Sequence, residues 1–289
     1  MMTELMRSLI AQALEEDTGR GDPTTAATID ISQRGKAHFL AKADGILSGI
    51  DIAGEVFTAY KQQSGISGEI HFTPLIKDAS VVTSGTKLAE IEAPLAVIVT
   101  AERVALNLLQ RMSGIATLTS EYVKRTQGTK AKILDTRKTA PLLRPFDRYG
   151  VVSGGGTNHR YSLAEMIMAK DNHLAANGND ITKVVDKLRT YFTSHPKLPV
   201  EIEVTSLEQF TTLLACGKGV VTRVMFDNFA LEDLRKGVTM NTSTFETEAS
   251  GGVNLATVKA IAETGVDYIS VGALTHSVTG LDISLEVEL

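Results

Sequence analysis

The chain contains a single cysteine, Cys216, among 289 residues. One thiol excludes an internal disulfide and a thiolate metal cluster, so the expected compartment is a reducing cytoplasm. Positive charge is not in surplus either: 29 Lys and Arg face 34 Asp and Glu, a net charge of −5. A surface built throughout for nucleic acid is set aside on that ground. No uncharged apolar run reaches membrane-spanning length, and Met1–Arg7 lacks the basic-then-apolar start of a secretory signal. Neither a membrane span nor a signal peptide is expected. The composition is otherwise that of a folded globular protein, 43% hydrophobic and 22% charged. Its length fits two modest domains or one larger barrel.

The first third mixes element types. Apolar spacing predicts helices over Leu5–Leu14 and Ile50–Tyr60, and extended chain at Lys36–Lys42, Glu69–Thr73 and Lys87–Ile91. A long helical pattern follows from Leu95 to Tyr122. Beyond Lys132 the texture changes to short apolar runs alternating with helical segments. Strands are expected at Ile133–Leu134, Met166–Ala169, Val200–Val204, Val220–Phe226, Thr244–Glu248 and Tyr268–Val271. Helices are expected at Thr182–Tyr191, Ser206–Ala215 and Leu255–Thr264. Such alternation predicts an α/β parallel sheet, open or closed into a barrel. Polar residues follow each strand: Asp135-Thr136-Arg137-Lys138, Lys170-Asp171, Asp227-Asn228, Ser250-Gly251-Gly252 and Gly272-Ala273. Strand C-termini converge at a barrel mouth, where such folds place their chemistry.

Charge is unevenly spread. Between Arg137 and Lys170 lie six basic and two acidic residues, so the net −5 conceals a cationic window on an acidic chain. That pattern suits a small polyanionic ligand, although a single loop cation is usually only solvated. Lys138 and Lys170 at strand ends weigh towards the ligand, because a lysine at a barrel mouth is costly to bury without an anion. Glu201 and Glu203 alternate along one strand and share a face. Glu203, with Asp227 ending the next strand, offers oxygen ligands suited to Mg²⁺. The plainer reading of these acids is a structural ion pair with Lys138 or Lys170. Ser250-Gly251-Gly252 before a helical stretch, and Gly272 after the next strand, are suited to cradling a phosphate at a helix N-terminus. Gly154-Gly155-Gly156 reads equally well as a permissive turn, and Cys216 as a packed helix residue.

These residues also fall into a recognisable order. Leu134–Thr139, Pro141, Arg144, Tyr149, Gly154–Arg160 and Lys170–His173 closely resemble the quinolinate phosphoribosyltransferase family. The resemblance runs through Glu16-Asp17, Gly21–Thr25, Glu102-Arg103, Asn107, Ser113–Thr117, Asp227–Phe229, Ser250–Gly252 and Val271–His276. It implies an N-terminal α/β sandwich domain, residues 1–112 and 277–289, and an open seven-stranded α/β barrel, residues 113–276. It further implies a homodimer with shared active sites. The implied reaction joins quinolinate to phosphoribosyl pyrophosphate, releasing nicotinate mononucleotide, pyrophosphate and CO₂ for NAD synthesis. By resemblance, Arg137, His159, Arg160 and Lys170 line the pocket for the quinolinate carboxylates, and Arg103 enters from the neighbouring subunit. Lys138, with Thr136 beside it, would face the pyrophosphate. Glu203 and Asp227 would meet the ribose hydroxyls and Mg²⁺, directly or through water, while Ser250, Gly251, Gly252, Gly272 and His276 would hold the 5′-phosphate. Lys138, Lys170, Glu203 and Asp227 are the expected catalytic set.

Three departures from the family pattern stand out: Leu142 in place of Gly, Gly150 in place of Ala, and Leu95-Ala96 in place of Ala-Arg. Competing readings are the family's relative linked to molybdenum transport, a lyase or aldolase using Lys170 as a Schiff-base nucleophile, and a catalytically inert barrel. The intact cation set argues against all three.

Overall fold

A computed structural model describes residues 2–288. In chain order the first elements are α1 (Glu4–Thr18), α2 (Pro23–Thr28), β1 (Arg34–Ala41), β2 (Gly45–Ile46), α3 (Ile50–Ser64), β3 (His71–Pro74), β4 (Val81–Val82), β5 (Lys87–Pro94) and α4 (Leu95–Arg125). Next come β6 (Lys132–Leu134), α5 (Arg144–Ser153), β7 (Ile167–Ala169), α6 (Asp171–Ala175), α7 (Ile181–Tyr191) and β8 (Val200–Val204). The chain ends with α8 (Leu207–Cys216), β9 (Arg223–Asp227), α9 (Leu231–Asn241), β10 (Glu246–Ser250), α10 (Val258–Ala262), β11 (Tyr268–Ser270), α11 (Ala273–His276) and β12 (Ile283–Glu288). Two compact units result. The first is Met1–Ser120, Thr139–Gly155 and Leu274–Leu289, and the second is Glu121–Lys138 and Gly156–Ala273.

The first unit carries an antiparallel sheet in the order β12-β1-β5-β3. Along β1 the side chains alternate, so Ala37, Phe39 and Ala41 are buried while Lys36 faces solvent. Phe39 meets Phe57 of α3 and Phe72 of β3 edge-on, with ring centroids 6.1 and 6.0 Å away. Helix α1, started by Thr3 accepting from the Met6 N–H, buries Met6, Ile10 and Leu14 at helical spacing. Helix α5 buries Phe146 and Val151 and is held in addition by a fork. Arg111 Nε and Nη2 donate to the two Asp147 oxygens at 2.6 and 2.9 Å, and Asp147 is fully buried. At Gly150 a Cβ would stand 2.8 Å from the Met112 carbonyl, so the glycine permits a close approach of α5 to α4.

The second unit is an all-parallel sheet in the order β6-β11-β10-β9-β8-β7, with helices between the strands. A parallel bridge from Leu134 to Thr157 extends it beyond β6, at the seventh position of the sheet. All five residues of β8 are buried, as expected of a strand covered on both faces. Two of those five are the acids Glu201 and Glu203. The expected α/β class, an antiparallel-sheet domain beside a parallel barrel-like sheet, therefore holds.

Several boundaries differ from the sequence reading, and three of them have a local cause. Strand β9 starts at Arg223 rather than Val220 because the Val220 and Val221 N–H groups close a turn on the Gly217 carbonyl. Strand β10 starts at Glu246 because Asn241 brackets Phe245, donating to its carbonyl and accepting from its N–H. Helix α10 is cut to Val258–Ala262 because the Asn254 carboxamide takes the Ala256 and Thr257 N–H groups in a local turn.

Candidate active site

At the C-terminal ends of the parallel strands lies a cavity of about 320 Å³. Its walls include Thr136, Arg137 and Lys138 after β6, His159 and Arg160 beyond the Thr157 bridge, Lys170 after β7, and Ser250 and Ser270 ending β10 and β11. Met168 and Met225 complete the lining. Four cations around so small a volume repel one another. Burial, followed by the charge of Arg137, holds the Arg160 guanidinium below its ordinary value. An anion entering the cavity relieves that repulsion, and a planar dicarboxylate matches two guanidinium forks better than a point charge would.

The loop after β6 is shaped locally: the Lys138 N–H donates to Thr136 Oγ1 at 3.2 Å. Lys170 begins α6, and its ammonium donates to the Glu203 carboxylate on β8 and lies 3.8 Å from Met225 Sδ. Glu203 is paired across the sheet with Met225, so Asp227, two residues on along β9, occupies the next position on the same face. Asp227 is half-buried and accepts from Asn228 Nδ2 at 2.6 Å. After β10 the chain turns through Gly251 (φ +89°) and Gly252 (φ +62°). At Gly251 a Cβ would lie 2.2 Å from Asn228 Oδ1, so no other residue fits.

Beneath the cavity floor is a buried ionic group. His159 Nε2 stands 3.2 Å from a Glu201 oxygen and 3.3 Å from a Glu248 oxygen. Arg223 Nη1 donates to Glu248 at 3.0 Å, and Ser270 Oγ donates to its other oxygen. Both acids are fully buried. Burial raises Glu201 to about 7, with the Glu248 charge adding to the effect. Burial opposes a charge on His159, yet its contacts with Glu201 and Glu248 prevail and lift it to about 9. Glu248 stays ionised despite burial, because His159, Ser270 and Arg223 all favour the carboxylate. Glu201 and Glu248, two buried carboxylates facing one imidazole, do not titrate independently.

The description "Quinolinate phosphoribosyl transferase, N-terminal domain" matches residues 22–113, and the corresponding C-terminal domain matches residues 115–286. The chain belongs to the quinolinate phosphoribosyltransferase family. Among relatives of this family, the decarboxylating quinolinate phosphoribosyltransferase 1b of Nicotiana tabacum is 41% identical over 297 residues, covering 98% of this chain and 82% of the relative. The chloroplastic carboxylating nicotinate-nucleotide pyrophosphorylase of Arabidopsis thaliana is 40% identical over 296 residues, covering 98% and 83%. The crystal structure of NadC from Streptococcus pyogenes superposes with a TM-score of 0.91 at 35% identity, covering 100% of this chain and 98% of that one. The nicotinate-nucleotide pyrophosphorylase of Francisella tularensis gives 0.89 at 35% identity, with 100% and 98% covered.

Of the residues singled out in the sequence, seven line one cavity: Thr136, Arg137, Lys138, His159, Arg160, Lys170 and Ser250. Glu203 reaches it through Lys170, while Asp227, Gly251, Gly252 and Gly272 sit in the strand-end loops of the same unit. Arg103 and His276 belong to the first unit. There Arg103, exposed on α4, borders a separate cavity of about 450 Å³ with Glu16, Asp17 and Asn107, and exposed His276 contacts Ser277 Oγ. Two expectations need correcting. Glu201 does not pair with Lys138 or Lys170 but with His159, since its alternation places it one pleat deeper than Glu203. The Gly-Gly turn does not open directly onto a helix N-terminus, because Asn254 occupies the N–H groups there. Sequence reasoning missed Glu248, Arg223 and the two methionines. Glu248 was findable: an acid in the middle of an otherwise buried strand needs a partner.

Proposed function

We propose that this chain is a decarboxylating quinolinate phosphoribosyltransferase. It converts quinolinate and phosphoribosyl pyrophosphate to nicotinate mononucleotide, pyrophosphate and CO₂. The observation that carries this reading is the cluster of Arg137, Lys138, Arg160 and Lys170 around one cavity in a chain of net negative charge. Arg137 and Arg160 bind the two carboxylates of quinolinate through paired N–H donors and turn its ring nitrogen towards the ribose C1′. Positive charge then grows on the ribose as pyrophosphate departs. Glu203 and Asp227 face the ribose side, and Lys138 meets the negative charge on the leaving group. The bond from C1′ to pyrophosphate oxygen breaks while the bond from C1′ to ring nitrogen forms. The resulting pyridinium accepts the electron pair left when the 2-carboxylate departs as CO₂, and a proton from solvent completes the product. Ser250, Gly251, Gly252 and Gly272 supply donors for the 5′-phosphate.

The carboxylates of Glu203 and Asp227, adjacent on one face of neighbouring strands, are hard oxygen donors of the kind that Mg²⁺ takes. Each has one oxygen engaged by a neighbouring donor, Lys170 or Asn228, and a second oxygen to offer. When bound there with substrate, Mg²⁺ neutralises pyrophosphate charge. The His159–Glu201–Glu248 donor set, although its ligand atoms lie within 4.8 Å of one another, has Arg223 on Glu248 and suits a proton better than a dication. The working enzyme is a homodimer in which Arg103 is supplied in trans, and it operates in a reducing cytoplasm compatible with its one thiol. Among the described residues no helix is long and apolar enough to cross a membrane. The test is to supply Mg²⁺, phosphoribosyl pyrophosphate and either quinolinate or nicotinate. Nicotinate mononucleotide from quinolinate alone supports the reading, and product from nicotinate alone overturns it.

A further inference from the structure

The ionic group under the cavity floor is not used in the chemistry above, yet it is costly to build. Two carboxylates and a guanidinium are taken out of water at the centre of the sheet, an arrangement rarely worth its desolvation for stability alone. Its members come from three adjacent strands: Glu201 from β8, Arg223 from β9 and Glu248 from β10. The two carboxylates converge on His159, which belongs to no strand or helix, and Arg223 braces Glu248. Arg223 is held in turn by Glu246 at 3.0 Å and by the Tyr268 ring, whose centroid is 4.0 Å away. The strands thus provide a rigid base and His159 is what they hold.

His159 in turn governs Arg160. The Arg160 backbone nitrogen lies 2.6 Å from His159 Nδ1, and the His159 backbone N–H donates to buried Asp135 Oδ1 at 2.6 Å. The Arg160 guanidinium donates to the Met166 carbonyl at 2.8 Å and lines the cavity. With no regular structure in this segment, the main chain around Arg160 rests on side chains: the His159 ring beside it, Asp135 before it and Glu165, which accepts from the Tyr161 N–H at 2.6 Å. We propose that Glu248 is a positioning residue for the binding of an aromatic dicarboxylate: its carboxylate, fixed by Arg223 and Ser270, sets the His159 ring, and the ring sets Arg160. Glu248 itself does not touch substrate. A guanidinium fork has to meet a carboxylate in plane with both donors, so a tilt of the Arg160 backbone weakens that carboxylate's grip and leaves the phosphate contacts alone.

This inference rests on the transferase reading, and the experiment separates the two. Steady-state kinetics are measured for the wild type, for Glu248→Gln, and for Glu248→Gln/Arg223→Gln, which removes both charges and so spares the fold the lone buried guanidinium. The expected result is a rise of tenfold or more in the quinolinate KM of each folded variant, with the phosphoribosyl pyrophosphate KM within twofold of wild type. In an Arg160→Ala background, Glu248→Gln is expected to add less than twofold, since the two act through one contact. A folded variant with the wild-type quinolinate KM overturns the proposal, as does an equal rise in both KM values, a full effect without Arg160, or failure of both variants to fold. Absence of nicotinate mononucleotide with the wild type overturns the transferase reading instead.

Discussion

Lys170 and Glu203 face each other across the ends of β7 and β8, the ammonium donating to a carboxylate that is almost wholly buried. The pair gives each partner a definite role. Glu203 is oriented by the ammonium, and Lys170 is held at the cavity wall among the other cations.

Removing the lysine leaves a buried carboxylate without its partner, and removing the carboxylate leaves a fourth cation unbalanced. Lys170→Ala and Glu203→Gln are each expected to lower kcat/KM by on the order of 10²-fold, the scale on which loss of one preorganised charged group acts. Lys170→Met, which restores the stem without the charge, is expected to recover neither turnover nor full thermal stability, since Glu203 still lacks its partner. Initial rates and melting curves on the three variants check this.

Stability is expected to depend on pH through His159 and Glu201. Folding raises His159 from 6.5 to about 9 and Glu201 from 4.5 to about 7. The folded chain therefore holds these protons more tightly than the unfolded chain. The stability this linkage contributes is complete at pH values below the unfolded ones and is lost as pH climbs through about 7 and about 9. The Tm is expected to fall between pH 6 and pH 9.5, and Glu201→Gln, an uncharged mimic of the protonated acid, is expected to flatten the fall. Calorimetry of both proteins across this range measures it.

Leu142 has φ +65° and is 69% exposed. A side chain in left-handed backbone costs about 1–2 kcal/mol, which explains why the family pattern has glycine at this place. Leu142→Gly is expected to be neutral or to stabilise by up to about 1 kcal/mol, the added freedom of the unfolded glycine offsetting part of the relief. Chemical denaturation checks this, and a loss above about 1 kcal/mol contradicts it.

The proposed supply of Arg103 in trans is open to complementation. Arg103→Ala and Lys138→Ala are each expected to be defective by about 10²-fold as pure proteins, each removing one charged donor. When the two are mixed and allowed to exchange subunits, hybrid dimers contain one site with both residues intact. Recovery towards a quarter of wild-type activity is expected, read against an unmixed control in the same rate assay.

The periodicity of the chain made most elements legible. Helix α4 and strand β8 follow from apolar spacing alone. Helix α5 was not legible because Arg144, Asp147 and Arg148 interrupt the short apolar pattern of Phe146 and Val151, and the fork to Arg111 comes from a distant segment. The shortened α10 was hidden because Asn254 holds the Ala256 and Thr257 N–H groups in a local turn. At the site, strand-end position was enough to bring out Arg137, Lys138 and Lys170. The partnership of His159 with Glu201 and Glu248 was not, because it depends on which strands are neighbours, and sheet order is not written in any one segment.

The central claim is tested most directly by following the 2-carboxylate. Quinolinate labelled with ¹³C in that carboxyl is incubated with enzyme, Mg²⁺ and phosphoribosyl pyrophosphate, and released CO₂ is counted against nicotinate mononucleotide. One labelled CO₂ per nucleotide formed, with none released when phosphoribosyl pyrophosphate is omitted, is the predicted result. Label retained in the nucleotide, or CO₂ released without the sugar donor, would contradict it.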